Sequence, residues 1–140
     1  MAVHVLTVLA YKKGESVTSD FLARSVNTNP VTIRRLLLAL QEAGLVETRR
    51  GAGQGSKLSR SPSLIHLAEV YHAVEGEESF VLPPRRPNQG CPVGHCIQEA
   101  ISHVFVSAQT ALERALSATR LADLLRAVER ACAKSKPTRP

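Results

Sequence analysis

Aromatic residues are scarce in this 140-residue chain, at 4%, and tryptophan is absent. A core made without them must come from Leu, Val, Ile and Ala, which suits packed helices. The chain has three cysteines, an odd number, and no export signal precedes them. That argues against a disulfide framework. No apolar run is long enough to span a membrane. The apolar N-terminus, MAVHVLTVLAYKK, has no basic region before it and no clear small-residue cleavage site after it. It therefore reads as a core helix, not a signal peptide, and the expected compartment is the cytoplasm. Acidic residues are the minority, 12 against 18 Lys and Arg, and the net charge of +6 favours a polyanionic partner.

What is present fits one globular domain with an appended arm, since 44% of the residues are hydrophobic and 21% charged. The charge is concentrated. Residues 31–60 hold Arg34, Arg35, Arg49, Arg50, Lys57 and Arg60 against Glu42 and Glu47; six minus two gives +4 of the total +6. Charge alone would describe a solvated face equally well, so its setting decides.

The first helix is expected over Ala2 to Tyr11 and ends at Gly14. It starts without a cap, as if residues upstream were missing. Ser16, Thr18 and Ser19 offer N-cap oxygens to a short second helix bearing Phe21, Leu22 and Val26. Asn27-Thr28-Asn29 is a tight connection. Asn29 before Pro30 caps a third helix that runs to Ala43 and stops at Gly44. Its stripe of Ile33, Leu36, Leu37 and Leu40 is the buried face, with Val31, Arg35 and Glu42 roughly opposite. Leu45 to Thr48 and Lys57 to Ser59 are strands flanking a glycine-rich basic loop, together a β-wing. A fourth helix is expected from about Leu64 to Val74. Prolines 83, 84 and 87 make residues 77–90 a linker. From Cys91-Pro92 a long helix reaches about Leu116. It carries Ile97, Ile101, Val104, Ala108, Ala111 and Ala115 at alternating four- and three-residue steps, an a/d seam. Thr119 is expected to cap the last helix. No internal repeat is present.

Short helix, tight turn, capped helix and basic glycine-rich hairpin, in that order, make a winged helix-turn-helix. The expected fold class is mainly α with a small β-wing: a winged helix-turn-helix DNA-binding domain plus a long dimerisation helix. Residues 1–76 would form the DNA-binding domain, 77–90 the linker, 91–133 the dimerisation helices and 134–140 a disordered tail. The second helix of the motif must present its N-terminal turn to the major groove. This places Thr28, Asn29, Thr32 and Arg35 near base edges or phosphates, and Arg34 near a phosphate on the groove wall. The wing needs glycine for close approach, and Arg49, Arg50, Gly51, Gln54, Ser56 and Lys57 are its candidate contacts. Two-fold pairing through the seam would space two readers about one helical turn of DNA apart.

Several stretches are family-specific: N-T-N-P-V-x-I-R-R at Asn27 to Arg35, E-A-G-L-V at Glu42 to Val46, R-G-A-G-Q-G at Arg50 to Gly55, and P-S-L-I-H-L-A-E-V-Y-x-A-V-E-G at Pro62 to Gly76. They resemble the bacterial regulator family of IscR, NsrR and CymR (the RRF-two type). C-P-V-G at Cys91 to Gly94 is similar to its cluster-lacking branch. The resemblance covers nearly the whole chain. It implies a homodimeric transcription factor, usually a repressor, that binds a palindromic operator on double-stranded DNA. Members usually carry several more residues before the first helix.

Cluster-holding members have three cysteines near the start of the long helix, and this chain has only Cys91 and Cys96 there. His95 and His103 lie close by, but the spacing does not match, so no cofactor or metal is expected. Cys91 stands at a helix N-terminus, where the helix dipole favours a thiolate. Oxidation or alkylation there could tilt the dimer helix, with Cys96 as resolving partner. The bland reading, Cys91 as a helix cap and Cys96 as a small core residue, weighs equally. Three alternatives stay open: an iron–sulfur-cluster-dependent regulator, a thiol-dependent enzyme, and a winged helix that binds only protein. Against an enzyme, no base, oxyanion site or pocket surrounds Cys91 in the sequence.

Overall fold

A computed structural model describes residues 1–49, 51, 55–75, 80–82 and 84–134. Helix α1 (Ala2–Tyr11) buries Ala2, Val5, Leu6, Leu9 and Ala10, a stripe at helical spacing. Lys13 and Gly14, both at positive φ, turn the chain away. Helix α2 (Ser19–Val26) starts where the Thr18 hydroxyl accepts the Phe21 N–H. It ends at Asn27 in the left-handed conformation, and the Thr28 N–H donates to the Ala23 carbonyl. Helix α3 (Pro30–Glu42) follows and buries Ile33, Leu37 and Leu40, with Leu36 half-buried against them.

Strands β1 (Val46–Thr48) and β2 (Ser56–Leu58) pair antiparallel with Val46 opposite Leu58 and Thr48 opposite Ser56. Each lies one residue from its expected position at one or both ends. The return strand begins at Ser56 because Ser56 also pairs with Val17, each N–H donating to the other's carbonyl. The α1–α2 connection thus acts as a third strand beside the wing. Gly55 permits it: a Cβ there would meet the Val17 carbonyl oxygen at 2.4 Å.

The fourth helix differs from expectation. Pro62–Leu64 forms a single 3₁₀ turn, Ile65 is extended, and α4 begins only at Leu67, running to Glu75. The break has a cause. His66 bridges to Arg120, the Leu67 N–H donates to the Thr119 carbonyl, and the Leu121 N–H donates to the Ile65 carbonyl. Those bonds need extended backbone at residues 65–66. The Glu69 carboxylate then accepts the His66 N–H and also pairs with Arg60.

Helix α5 (Pro92–Ala118) spans 27 residues and has no buried one. At about 1.5 Å per residue it is about 40 Å long. Thr119 does not cap helix α6 (Leu121–Lys134). Its hydroxyl donates back to the Ala115 carbonyl, closing α5, while the Asp123 carboxylate accepts the Arg120 N–H at the start of α6. Leu121 is fully buried in one core with Leu6, Leu9, Leu22, Ile33, Leu40, Leu45 and Ile65. The winged helix-turn-helix expected from the sequence is the fold found.

Candidate nucleic-acid interface

The N-terminal turn of α3 is held by its cap. Asn29 Oδ1 accepts the Thr32 N–H at 2.9 Å and the Thr32 hydroxyl at 3.2 Å. Asn29 is exposed, while Thr28 and Thr32 are half-buried. One side of the turn therefore faces solvent with its backbone N–H groups at the helix end, where an anion is favoured. Arg34 spans to α2, its Nε donating to Ser19 Oγ at 3.3 Å and its guanidinium 4.0 Å from Asp20. That arginine links the two helices of the motif at the surface. Arg35 is exposed and makes no hydrogen bond or ion pair among the described residues.

Val31 lies one turn before Arg35 and is 53% exposed. Sequence reasoning put it opposite the buried stripe but did not count it in the site. An apolar side chain on the exposed face at a recognition-helix N-terminus can meet a thymine methyl. Its signal was there to read: a valine at i, four residues from the one arginine on that face.

In the wing, Arg49 is exposed and its N–H donates to the Gly55 carbonyl at 3.2 Å. Gly51, also exposed, has φ +133°, a conformation other residues rarely adopt. Lys57 pairs across the strands with Glu47 at 3.5 Å. Arg50 and Gln54 lie outside the described residues. Ser56 departs from its expected role: it is 2% exposed, and its Oγ bonds Thr48 Oγ1 at 2.9 Å. Pairing on both of its edges buries it, so it holds the wing together and offers DNA no atom in this conformation. Arg60 likewise turns inward to Glu69 and the Leu64 carbonyl.

Of the seam, Ile97, Val104, Ala111 and Ala115 are exposed, and Ile101 and Ala108 are half-buried. The residues of α5 that face the rest of the chain lie to one side of that line. His72 of α4 meets Glu113 at 3.1 Å and His66, just before α4, meets the Ser117 carbonyl through Nδ1 at 2.7 Å, so both tie this part of the chain to the C-terminal half of α5. Burial works against ionisation of Glu69, but the His66 N–H and the Arg60 guanidinium outweigh it and hold its carboxyl below the ordinary value.

Cys91 is the N-cap residue of α5 and caps with no side-chain bond; Cys91, Cys96 and Cys132 are all exposed. Cys91 and Cys96 are five residues apart on a helix, about 7.5 Å of rise, beyond the roughly 7 Å between Cα atoms that a disulfide spans. The first turn of α5 would have to unwind to join them. At the same turn Gly94 fits because a Cβ would meet the Asn88 carbonyl oxygen at 2.4 Å. The Asn88 carbonyl also accepts the Cys91 N–H. Among the described residues no three His, Cys, Asp or Glu side chains are grouped to hold a metal ion. No helix is long and apolar enough to cross a membrane among the described residues.

A family model, Rrf2, described as iron-dependent transcriptional regulators, matches residues 1–127. YwnA of Bacillus subtilis, assigned as an HTH-type transcriptional regulator, is 38% identical over 125 residues, covering 89% of this chain and 92% of its own. The HTH-type transcriptional regulator IscR of Cereibacter sphaeroides is 29% identical over 125 residues, 89% of this chain and 80% of its own. A crystal structure of a protein assigned as DNA-binding superposes with a TM-score of 0.70 at 37% identity, covering 89% of this chain and 95% of the other.

Proposed function

The chain belongs to the Rrf2 family of bacterial transcriptional regulators, and on that premise we propose that it acts as a homodimer that represses by binding a palindromic operator. It is a regulator and not an enzyme. The observation that carries the reading is the α3 N-terminal turn. It is capped, linked to α2 by the Arg34–Ser19 hydrogen bond, and exposes Asn29, Val31 and Arg35, with Arg49 of the wing exposed as well. That arrangement suits major-groove reading with flanking phosphate contacts. The line of Ile97, Val104, Ala111 and Ala115 on α5 supports pairing of two copies.

The cysteine set supports a member that works without an iron–sulfur cluster. Control would then come from modification of the exposed Cys91 thiol where α5 begins. An adduct suits this site better than a Cys91–Cys96 disulfide, given their separation along the helix. Adding bulk at the N-cap would disturb the packing of Asn88 on Gly94 and so the seating of the helix.

The test is selection of genomic DNA fragments by the purified protein, followed by sequencing. Enrichment of a palindrome is expected, and failure to enrich any fragment at low salt would sink the reading. The selected site then serves for the thiol test. A thiol alkylator should weaken binding by wild type and leave Cys91→Ser unaffected; equal loss in both would remove Cys91 from the mechanism.

A further inference from the structure

The seam of α5 is too small to hold two copies together alone. Even the full length of α5, a strip about 40 Å long and about 10 Å wide, offers about 400 Å² per protomer, half of the roughly 800 Å² per partner in a stable interface. More apolar surface must lie next to it. The segment Phe80–Leu82 supplies it. The Phe80 ring packs on Phe105 of α5 with centroids 5.7 Å apart. Phe105 lies one residue beyond Val104 and one helical turn from Ile101, on the flank of the seam. Phe80 nevertheless stays 42% exposed, and Val81 beside it is 68% exposed.

This segment is anchored at both ends. Phe80 fixes it to the middle of α5. Eight residues later the Asn88 carbonyl accepts the Cys91 N–H, with Gly94 making room for it. Phe80 at Phe105 and Asn88 at the first turn of α5 thus sit about 16 Å apart along the helix. Pro84 and Pro87 stiffen the path. An exposed valine on a pinned arm beside an apolar seam is preorganised for a partner, because little chain entropy remains to be lost.

We infer that Phe80 and Val81 form the second half of the interface between two copies of this chain, Val81 docking against the partner copy beside its α5. This rests on the dimer reading above. The other large exposed apolar residue in the middle of α5, Val106, points half a turn away from Val104 and cannot serve the same surface.

Sedimentation equilibrium on the full chain tests both claims separately, using Val81→Asp, Val81→Ser and Val104→Asp. Val81 is exposed in the protomer, so folding should survive either change, and circular dichroism checks it. Val81→Asp should raise the dimer dissociation constant at least tenfold and Val81→Ser by a smaller factor, since each substitution acts twice in a symmetric dimer. Val104→Asp should leave monomers. If Val104→Asp is monomeric while both Val81 variants dimerise as tightly as wild type, the arm is not an interface and the inference falls. If wild type is itself monomeric, or Val104→Asp dimerises as wild type does, the dimer-helix reading falls first.

Discussion

A methyl group at position 55 would sit 2.4 Å from the Val17 carbonyl oxygen, a backbone atom held in a two-way pair with Ser56. Neither side can give way cheaply. Gly55→Ala should cost about 1–3 kcal/mol, read as a lower urea midpoint with an unchanged slope. A change within a few tenths would show that the Val17 connection moves freely. Glu69 makes a second residue-level test. Its carboxyl is held below its ordinary value of 4.5, burial opposing and the His66 N–H and Arg60 together overriding. A depressed carboxyl contributes stability above the unfolded value and loses it as pH falls through the folded one. Glu69→Gln should therefore be less stable than wild type at pH 7, and the gap should close as pH drops below about 4.5. A gap constant from pH 7 to pH 3 would mean that the charge is irrelevant. Neither effect was legible in the sequence. Gly55 reads there as one more wing glycine, and Ser56 as a DNA contact. Only the crossing of Val17, far earlier in the chain, shows both to be structural.

The elements themselves were largely legible, because local chemistry fixes them. Asn29-Pro30 and Gly44 bound α3, and Thr18 and Asn27 bound α2, through side chains and backbone within four residues. The misreadings fell where a distant partner decides. Ile65 would continue a helix on its own stripe, but the bonds to Thr119 and Leu121 hold it extended. Thr119 looks like a cap until Asp123 takes that role. The candidate site divides the same way: α3 exposes Arg35 as its period requires, while Arg34, one residue away, is committed to Ser19 and Asp20. That difference predicts distinct phenotypes. Arg35→Ala should leave the melting temperature unchanged and cost about 1–3 kcal/mol at one operator position. Arg34→Ala should weaken all sites alike through a looser motif. The cap gives a cleaner separation still. Asn29→Asp keeps an N-cap acceptor, so stability should hold within about 0.5 kcal/mol. Its negative charge facing phosphate should weaken DNA binding at every sequence. Loss of stability in that variant would mean that the amide does more than cap.

At the scale of the whole molecule, the reading head and α5 move as one piece near residues 65–67 and 117–121, where three hydrogen bonds join them. In the proposed dimer, the positions of two heads on DNA would then be set by how two α5 helices pair, not by flexing at that junction. The charges to be neutralised can be counted from the same structure. In each head Arg35 and Arg49 are unpaired among the described residues. Arg34 and Lys57 are engaged by Asp20 and Glu47 in weak surface pairs that a phosphate can displace. Arg60 is turned inward to Glu69 and drops out. Two to four cations per head among the described residues, with Arg50 of the wing added from the sequence, give six to ten per proposed dimer, hence a log–log salt slope between about −5 and −9 for binding to a full palindrome. A monomer reaches half as many phosphates. Val104→Asp should therefore bind a half-site with a slope of about half the wild-type value, and the palindrome no more tightly than the half-site except for the statistical factor. A variant that is monomeric by sedimentation yet keeps the full slope on the palindrome would mean that two heads assemble on DNA without α5. The long helix would then have to be read as part of the protomer rather than as the device that spaces the two readers.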